Sequence, residues 1–201
     1  MHNLSASFVL GYHGCDEETG EKLLANMPFR RSENVYDWLG SGIYFWEANP
    51  DRALDWAKQR AVRKKLQENL DYHPFVVEAV VDLGYCLDLI STNETLALEE
   101  TFRDLQATFA DSGNQIPENT AGDDLLHRKL FCMVLNFLHS ARQESGEQPF
   151  DTVRAMFTEG EPIYPTAGFR RKTHIQICVR NPENIKGVFR VPDRHFSSVA
   201  G

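Results

Sequence analysis

The feature that most restricts the fold is where the spacing of apolar residues changes along the chain. Phe75 to Leu83 sets Val77, Ala79, Val81 and Leu83 on one face of a strand that Gly84 ends. Strand character opens the chain at Ser7 to Tyr12 and returns at Phe150 to Phe157, Thr173 to Arg180 and Ile185 to Val191. Between these ends, Asn93 to Asp111 and Asp123 to Arg142 read as helices, the second with a stripe of Leu126, Leu130, Met133, Val134, Phe137 and Leu138. Strands at both ends around a helical block indicate an α+β fold rather than regular βαβ alternation. For 201 residues one domain is the default, so 1–201 is expected to be a single domain with a helical insertion at about 93–148.

Local signals place the remaining elements. Gly11 and Gly14 flank Tyr12-His13, so the first strand is expected to end near His13. Asp16 then caps a short helix with Glu17 and Glu18 in its first turn, stopped near Pro28. An irregular stretch from Phe29 to Ser41 leads into Gly42-Ile43-Tyr44-Phe45-Trp46, a short aromatic strand. Asn49-Pro50-Asp51 opens a helix expected to run to about Leu70. Ser112 to Gly122 reads as a polar loop, and Glu159 to Phe169 as a long loop rich in Gly and Pro, of a kind often functional.

Composition narrows the function classes. The formal charge of −8, from 29 acidic and 21 basic residues, argues against a surface that grips a nucleic-acid backbone, with Arg170, Arg171 and Lys172 as a local exception. Cys15, Cys86, Cys132 and Cys178 are scattered singly, which favours a reducing compartment over a disulfide scaffold or a zinc site. His127 and His139 lack metal-ligand spacing, and no metal is expected. The opening MHNLSASFVLGYHG has no secretory pattern, and no apolar run is long enough for a membrane span. The expectation is a cytoplasmic protein without membrane partners.

Three segments carry the chemistry when taken in order. Tyr12-His13-Gly14-Cys15, then Leu39-Gly40-Ser41-Gly42-Ile43-Tyr44-Phe45, then a helix bearing Trp56 resemble the first two motifs of the diphtheria-toxin-like and poly(ADP-ribose)-polymerase-like ADP-ribosyltransferases. That family reads roughly H-G-[ST], then G-x-G-I-Y-F, then an aromatic on the next helix. Glu78 to Gly84 is similar to the strand that follows, and Ile175 to Asn181 to the strand of the third motif. The similarity spans Phe8 to Leu83 and Thr173 to Val191, and the helical block has no counterpart in it.

The resemblance implies split, mostly antiparallel sheets with flanking helices, and NAD as substrate. His13, Tyr44 and Gln176 would act as catalytic residues converging on one cleft. His13 would bond the adenosine ribose, Gly14 would hold the nicotinamide amide by its backbone, and Tyr44 and Trp56 would sandwich the ring, with Cys15 and Gly42 beside them. Flat aromatic faces suit a planar cation, and the bond to nicotinamide breaks through an oxocarbenium-like state. Three positions depart from the pattern: Cys15 for Ser or Thr, Ala53 for a hydroxyl residue, and Gln176 for the catalytic Glu. An amide orients a ribose hydroxyl but cannot stabilise a cation as a carboxylate does. Glu159 or Glu161 is a candidate for the missing charge, and His174 faces the same way as Gln176. The expected activity is mono-ADP-ribosyl transfer with release of nicotinamide to an unidentified acceptor, as in a bacterial toxin or defence effector. The alternatives are a non-catalytic NAD or ADP-ribose-binding module, an NAD glycohydrolase, or an α+β domain in which these segments are only a turn and a core strand.

Overall fold

The computed structural model describes residues 7–120 and 126–197. Its strands are β1 (Phe8–Asp16), β2 (Ile43–Glu47), β3 (Pro74–Asp82), β4 (Cys86–Asp88), β5 (Thr152–Phe157), β6 (His174–Val179) and β7 (Ile185–Arg190). The helices are α1 (Glu17–Leu24), α2 (Pro50–Glu68), α3 (Thr92–Ser112) and α4 (Lys129–Glu144). The strands form one sheet in the order β4-β5-β6-β2-β1-β3-β7. Every neighbouring pair is antiparallel except β4 and β5, so the fold is α+β with a mostly antiparallel sheet. Among the described residues no helix is long and apolar enough to cross a membrane.

Helix starts follow their caps. Asp16 accepts the Glu18 N–H at 3.3 Å, and Asn49 accepts the Arg52 N–H at 3.0 Å with Pro50 as the first helical residue. The last helix begins at Lys129, later than the expected Asp123, which itself lies outside the described residues along with the end of the polar loop at Gly122. Its start is fixed from elsewhere: Asn119 Oδ1 accepts the N–H groups of Leu130 and Phe131, while His127 exchanges backbone bonds with Thr120. Parallel neighbours need a long connection, and the helical block supplies the one between β4 and β5. It is also core, since Leu135 of α4 packs with Leu87, Val153 and Phe157.

The first strand does not end at His13. It pairs with β3 along its whole length, from Phe8 opposite Asp82 to Asp16 opposite Pro74. Gly11 and Gly14 are packing glycines in that strand rather than turn residues. A Cβ at Gly11 would lie 2.9 Å from Phe45 Cβ, and one at Gly14 would lie 2.3 Å from the Ala53 carbonyl oxygen. Against β2 the pairing is short: Gly11 opposite Glu47 and Tyr12 opposite Trp46.

Alternation then assigns side chains to two faces. His13 and Cys15 share the α1 face with Phe45 and Ile177, whereas Tyr12, Tyr44, Trp46, Gln176 and Cys178 lie on the face covered by α2 and α4.

Candidate functional site

The short pairing between β1 and β2 creates the site's central feature. Continued register would set Gly14 opposite Tyr44, but the ladder has stopped there and the Tyr44 carbonyl is free of it. That carbonyl accepts instead from His13 Nδ1 at 2.8 Å. A carbonyl only accepts, so Nδ1 carries the proton and Nε2 is left as an acceptor. Burial pushes the His13 pKa down, helped by Arg60 and opposed by the Tyr44 bond, which keeps the ring neutral. The imidazole meets Phe29 edge-on at 5.3 Å and Phe45 at 5.7 Å. It opens on a cleft of 210 Å³ that is also lined by Thr19, Lys22, Leu23, Phe29 and Arg30. Arg30, with Lys22 shared with Glu18 at 2.7 Å, leaves the cleft a cationic rim that suits an anionic ligand.

On the opposite face lies a buried polar cluster. Arg52, in the first turn of α2, is ion-paired with Glu159 of the long loop, and both side chains are under a tenth exposed. His174 Nδ1 donates to the Lys172 carbonyl at 2.6 Å and lies 3.7 Å from Glu159 Oε1. Burial lowers the His174 pKa, and Arg52 and Arg128 lower it further, so its Nε2 is also a bare acceptor. Gln176, two residues along β6, sits opposite Trp46, whose ring lies 5.9 Å from the Arg52 guanidinium. Five buried atoms here have no hydrogen-bond partner among the described residues: Trp46 Nε1, Arg52 Nε and Nη1, His174 Nε2 and Gln176 Oε1. Buried polar atoms are normally satisfied, so donors and acceptors left bare together mark a place for a polar ligand or water.

These positions correct the expectation of one crevice. His13, Tyr44 and Gln176 do come from the adjacent strands β1, β2 and β6, but the imidazole faces α1 while the phenol and the amide face α2 and α4. The reason is strand parity: His13 aligns with Phe45, one residue away from Tyr44. The Tyr44 hydroxyl is already committed, donating to the Gly40 carbonyl at 2.6 Å and accepting the Leu39 N–H at 2.8 Å. Burial raises its pKa well above the ordinary value, so Tyr44 offers a ring and no proton.

The remaining expected contacts are mostly packing. Gly42 is buried, with Cys178 Sγ 2.3 Å from where a Cβ would sit, and it exchanges backbone bonds with Ser32. Cys15 is buried, and desolvation pushes its thiol up to about 12. Gly14 lies beneath the Ala53 carbonyl and Trp56, which is half-buried against Trp46 with ring centres 5.7 Å apart. Glu161 is exposed, and Glu159 spends its charge on Arg52.

Arg52 escaped the sequence reading, because a guanidinium in a first helical turn ordinarily reads as solvated. The available signal was its spacing: Arg52 and Trp56 are one turn apart, beside Ala53 and Ala57 on the buried stripe. Lys22 and Arg30 carried no signal, since only the α1 turn brings them to His13. Among the described residues no group of three His, Cys, Asp or Glu side chains is placed to hold a metal.

Comparison with known proteins adds one relative. No family model matches the chain, and no solved structure matches it. It is similar to a protein of Methanocaldococcus jannaschii described as uncharacterized, at 24% identity over 87% of this chain and 83% of that one.

Proposed function

We propose that this chain binds NAD and transfers its ADP-ribose to an acceptor, releasing nicotinamide. The observation that carries this reading is the seam between β1 and β2, where a neutral His13 is locked to the Tyr44 carbonyl beside a cleft bearing Lys22 and Arg30. In this reading a ribose hydroxyl donates to His13 Nε2 and the pyrophosphate takes the two cations. The nicotinamide end lies at the unpaired end of the seam, where Gly14 and Tyr44 have left the ladder, and reaches the edge of the face that carries Trp46 and Gln176. There the C1′–N bond breaks with its electron pair going to nicotinamide, and the acceptor's nucleophile takes C1′ and loses its proton to solvent. Gln176 positions the ribose without offsetting its charge, so transfer is slow and single.

A non-catalytic NAD-binding module is the second reading, favoured by Gln176 and by the neutralised Glu159. Incubation with nicotinamide-labelled NAD separates the two. Slow release of nicotinamide, abolished by His13→Ala and raised about tenfold or more by Gln176→Glu, is expected for transfer. Free ADP-ribose without a labelled acceptor means hydrolysis, and binding without release means the second reading. If titration calorimetry detects no NAD binding at all, both readings are lost.

A further inference from the structure

A second concentration of charge lies away from this seam, and it is unbalanced. Arg31, in the loop before β2, and Arg180, just after β6, both direct a guanidinium Nη2 or Nη1 to one neutral acceptor, the Ser41 carbonyl, at 3.5 and 3.2 Å. Among the described residues neither has a carboxylate within ion-pair distance, although the chain's formal charge is −8. Other arginines here do find acids: Arg190 bonds Glu21 at 2.8 Å and Arg154 bonds Glu47 at 2.6 Å. The carboxylates on the flanking segments point elsewhere. Asp151, whose carbonyl accepts the Arg180 N–H, gives its side chain to Tyr85 N–H and the Asn181 amide, and Asp37 gives its own to Asn34.

One turn along α4 from this place is a buried histidine. Asn136 of α4 accepts the Ser41 N–H at 3.1 Å, and His139 follows one turn on along the same face of the helix. His139 is 7% exposed, and among the described residues neither ring nitrogen has a hydrogen-bond partner. Burial pushes its pKa to about 3, with Arg180, Arg142 and Arg31 adding to the effect. Arg142 already has a partner in Glu147 at 2.7 Å.

We propose that Arg31, Arg180 and His139 form a binding site for a phosphate group, free or carried as a small-molecule monoester. Two guanidinium forks approaching from separate segments match the several oxygens of a tetrahedral oxyanion better than the two coplanar oxygens of a carboxylate. An imidazole N–H completes the set, and the bound charge relieves the repulsion between the arginines. The site stands independently of the reading proposed for the β1–β2 seam.

Thermal unfolding in potassium phosphate against potassium chloride of equal ionic strength tests the site, with phenyl phosphate as the monoester arm. Wild type is expected to melt several degrees higher in phosphate. Arg31→Gln, at an exposed position, should melt at or above wild type in chloride yet lose the phosphate gain, with affinity falling about tenfold or more. Arg180→Gln should lose the gain as well, and Arg190→Gln should keep it. A general salting effect would act on all variants alike. Gain with inorganic phosphate alone identifies a free-phosphate site, and gain with phenyl phosphate a site for a monoester. If chloride and phosphate give the same melting temperature in wild type, or if the gain survives Arg31→Gln and Arg180→Gln, the proposal is overturned.

Discussion

The two edges of β1 are built differently. Toward β3 the strand is joined by an unbroken ladder from Phe8 to Asp16, so the bonds are backbone groups that no side-chain change short of proline removes. Toward β2 the ladder is two pairs plus a bond from Ala48 N–H to the Leu10 carbonyl, and side chains complete the join. His13 bonds the Tyr44 carbonyl, Arg52 of α2 pairs with Glu159 beyond β5, and Trp56 packs on Trp46. Side-chain joints can be opened by a ligand, a proton or a mutation, whereas a ladder resists all three. That contrast is why the site proposed above is placed at this seam rather than along β1–β3.

The sharpest way to break the comparison is to cut the strongest side-chain joint. Glu159→Ala leaves the Arg52 guanidinium buried without a counter-charge, which costs about 3–5 kcal/mol, or a fall in melting temperature of roughly 10 °C. Adding Arg52→Met should restore much of the loss, because the pair's worth is mostly the penalty of leaving one charge alone. The comparison variant is Glu18→Ala, which removes an exposed pair with Lys22 and should change stability by less than about 0.5 kcal/mol. Equal falls for Glu159→Ala and Glu18→Ala would mean that the seam is not held by this pair.

Much of the ladder side was legible in the sequence and little of the seam was. Val77, Ala79 and Val81 alternate because β3 is buried on one face, and Asp16 and Asn49-Pro50 announce their helices, so local rules sufficed there. The three residues of β4 are too few to alternate, and they are a strand only because Thr152 to Arg154 lie beside them. At the site, motif order brought out His13, Tyr44 and Gln176, and these do lie on adjacent strands. Their separation onto two faces depends on register, and register is set by partners distant in sequence. Glu159 and Arg52 lie on opposite sides of that same gap: each alone reads as a solvated charge, and only the fold buries them together.

Acid loads both regions and can be used to tell them apart. His13 and His174 beside the seam and His139 behind it all have folded-state pKa values below the unfolded value of about 6.5. The folded protein therefore binds fewer protons than the unfolded chain, so the stability from neutral burial is complete above about pH 6.5 and is lost as pH falls. For His139, whose pKa drops to about 3, the loss by pH 5 is on the order of 2 kcal/mol. His139→Leu should remove that share and flatten the upper part of the profile. What remains should come from His13 and His174, and it should appear as earlier exchange of amide protons at β2 than at β3. Unchanged acid sensitivity in His139→Leu would assign the whole effect to the seam.

The smallest expected effect concerns what Tyr44 contributes beyond its ring. Its hydroxyl ties Leu39 N–H and the Gly40 carbonyl, and Gly40 sits at φ +74°, so the phenol holds the turn that feeds β2 into the sheet. Tyr44→Phe keeps the ring face and removes both bonds, at a cost of about 1–2 kcal/mol from the backbone groups left unpaired. The carbonyl that accepts from His13 belongs to the same residue but to the main chain, so it survives the substitution. Stability should therefore fall while NAD affinity changes less than twofold at a temperature where the variant is folded. A large loss of affinity with stability intact would place the hydroxyl itself on the ligand and close the distinction between the turn and the seam.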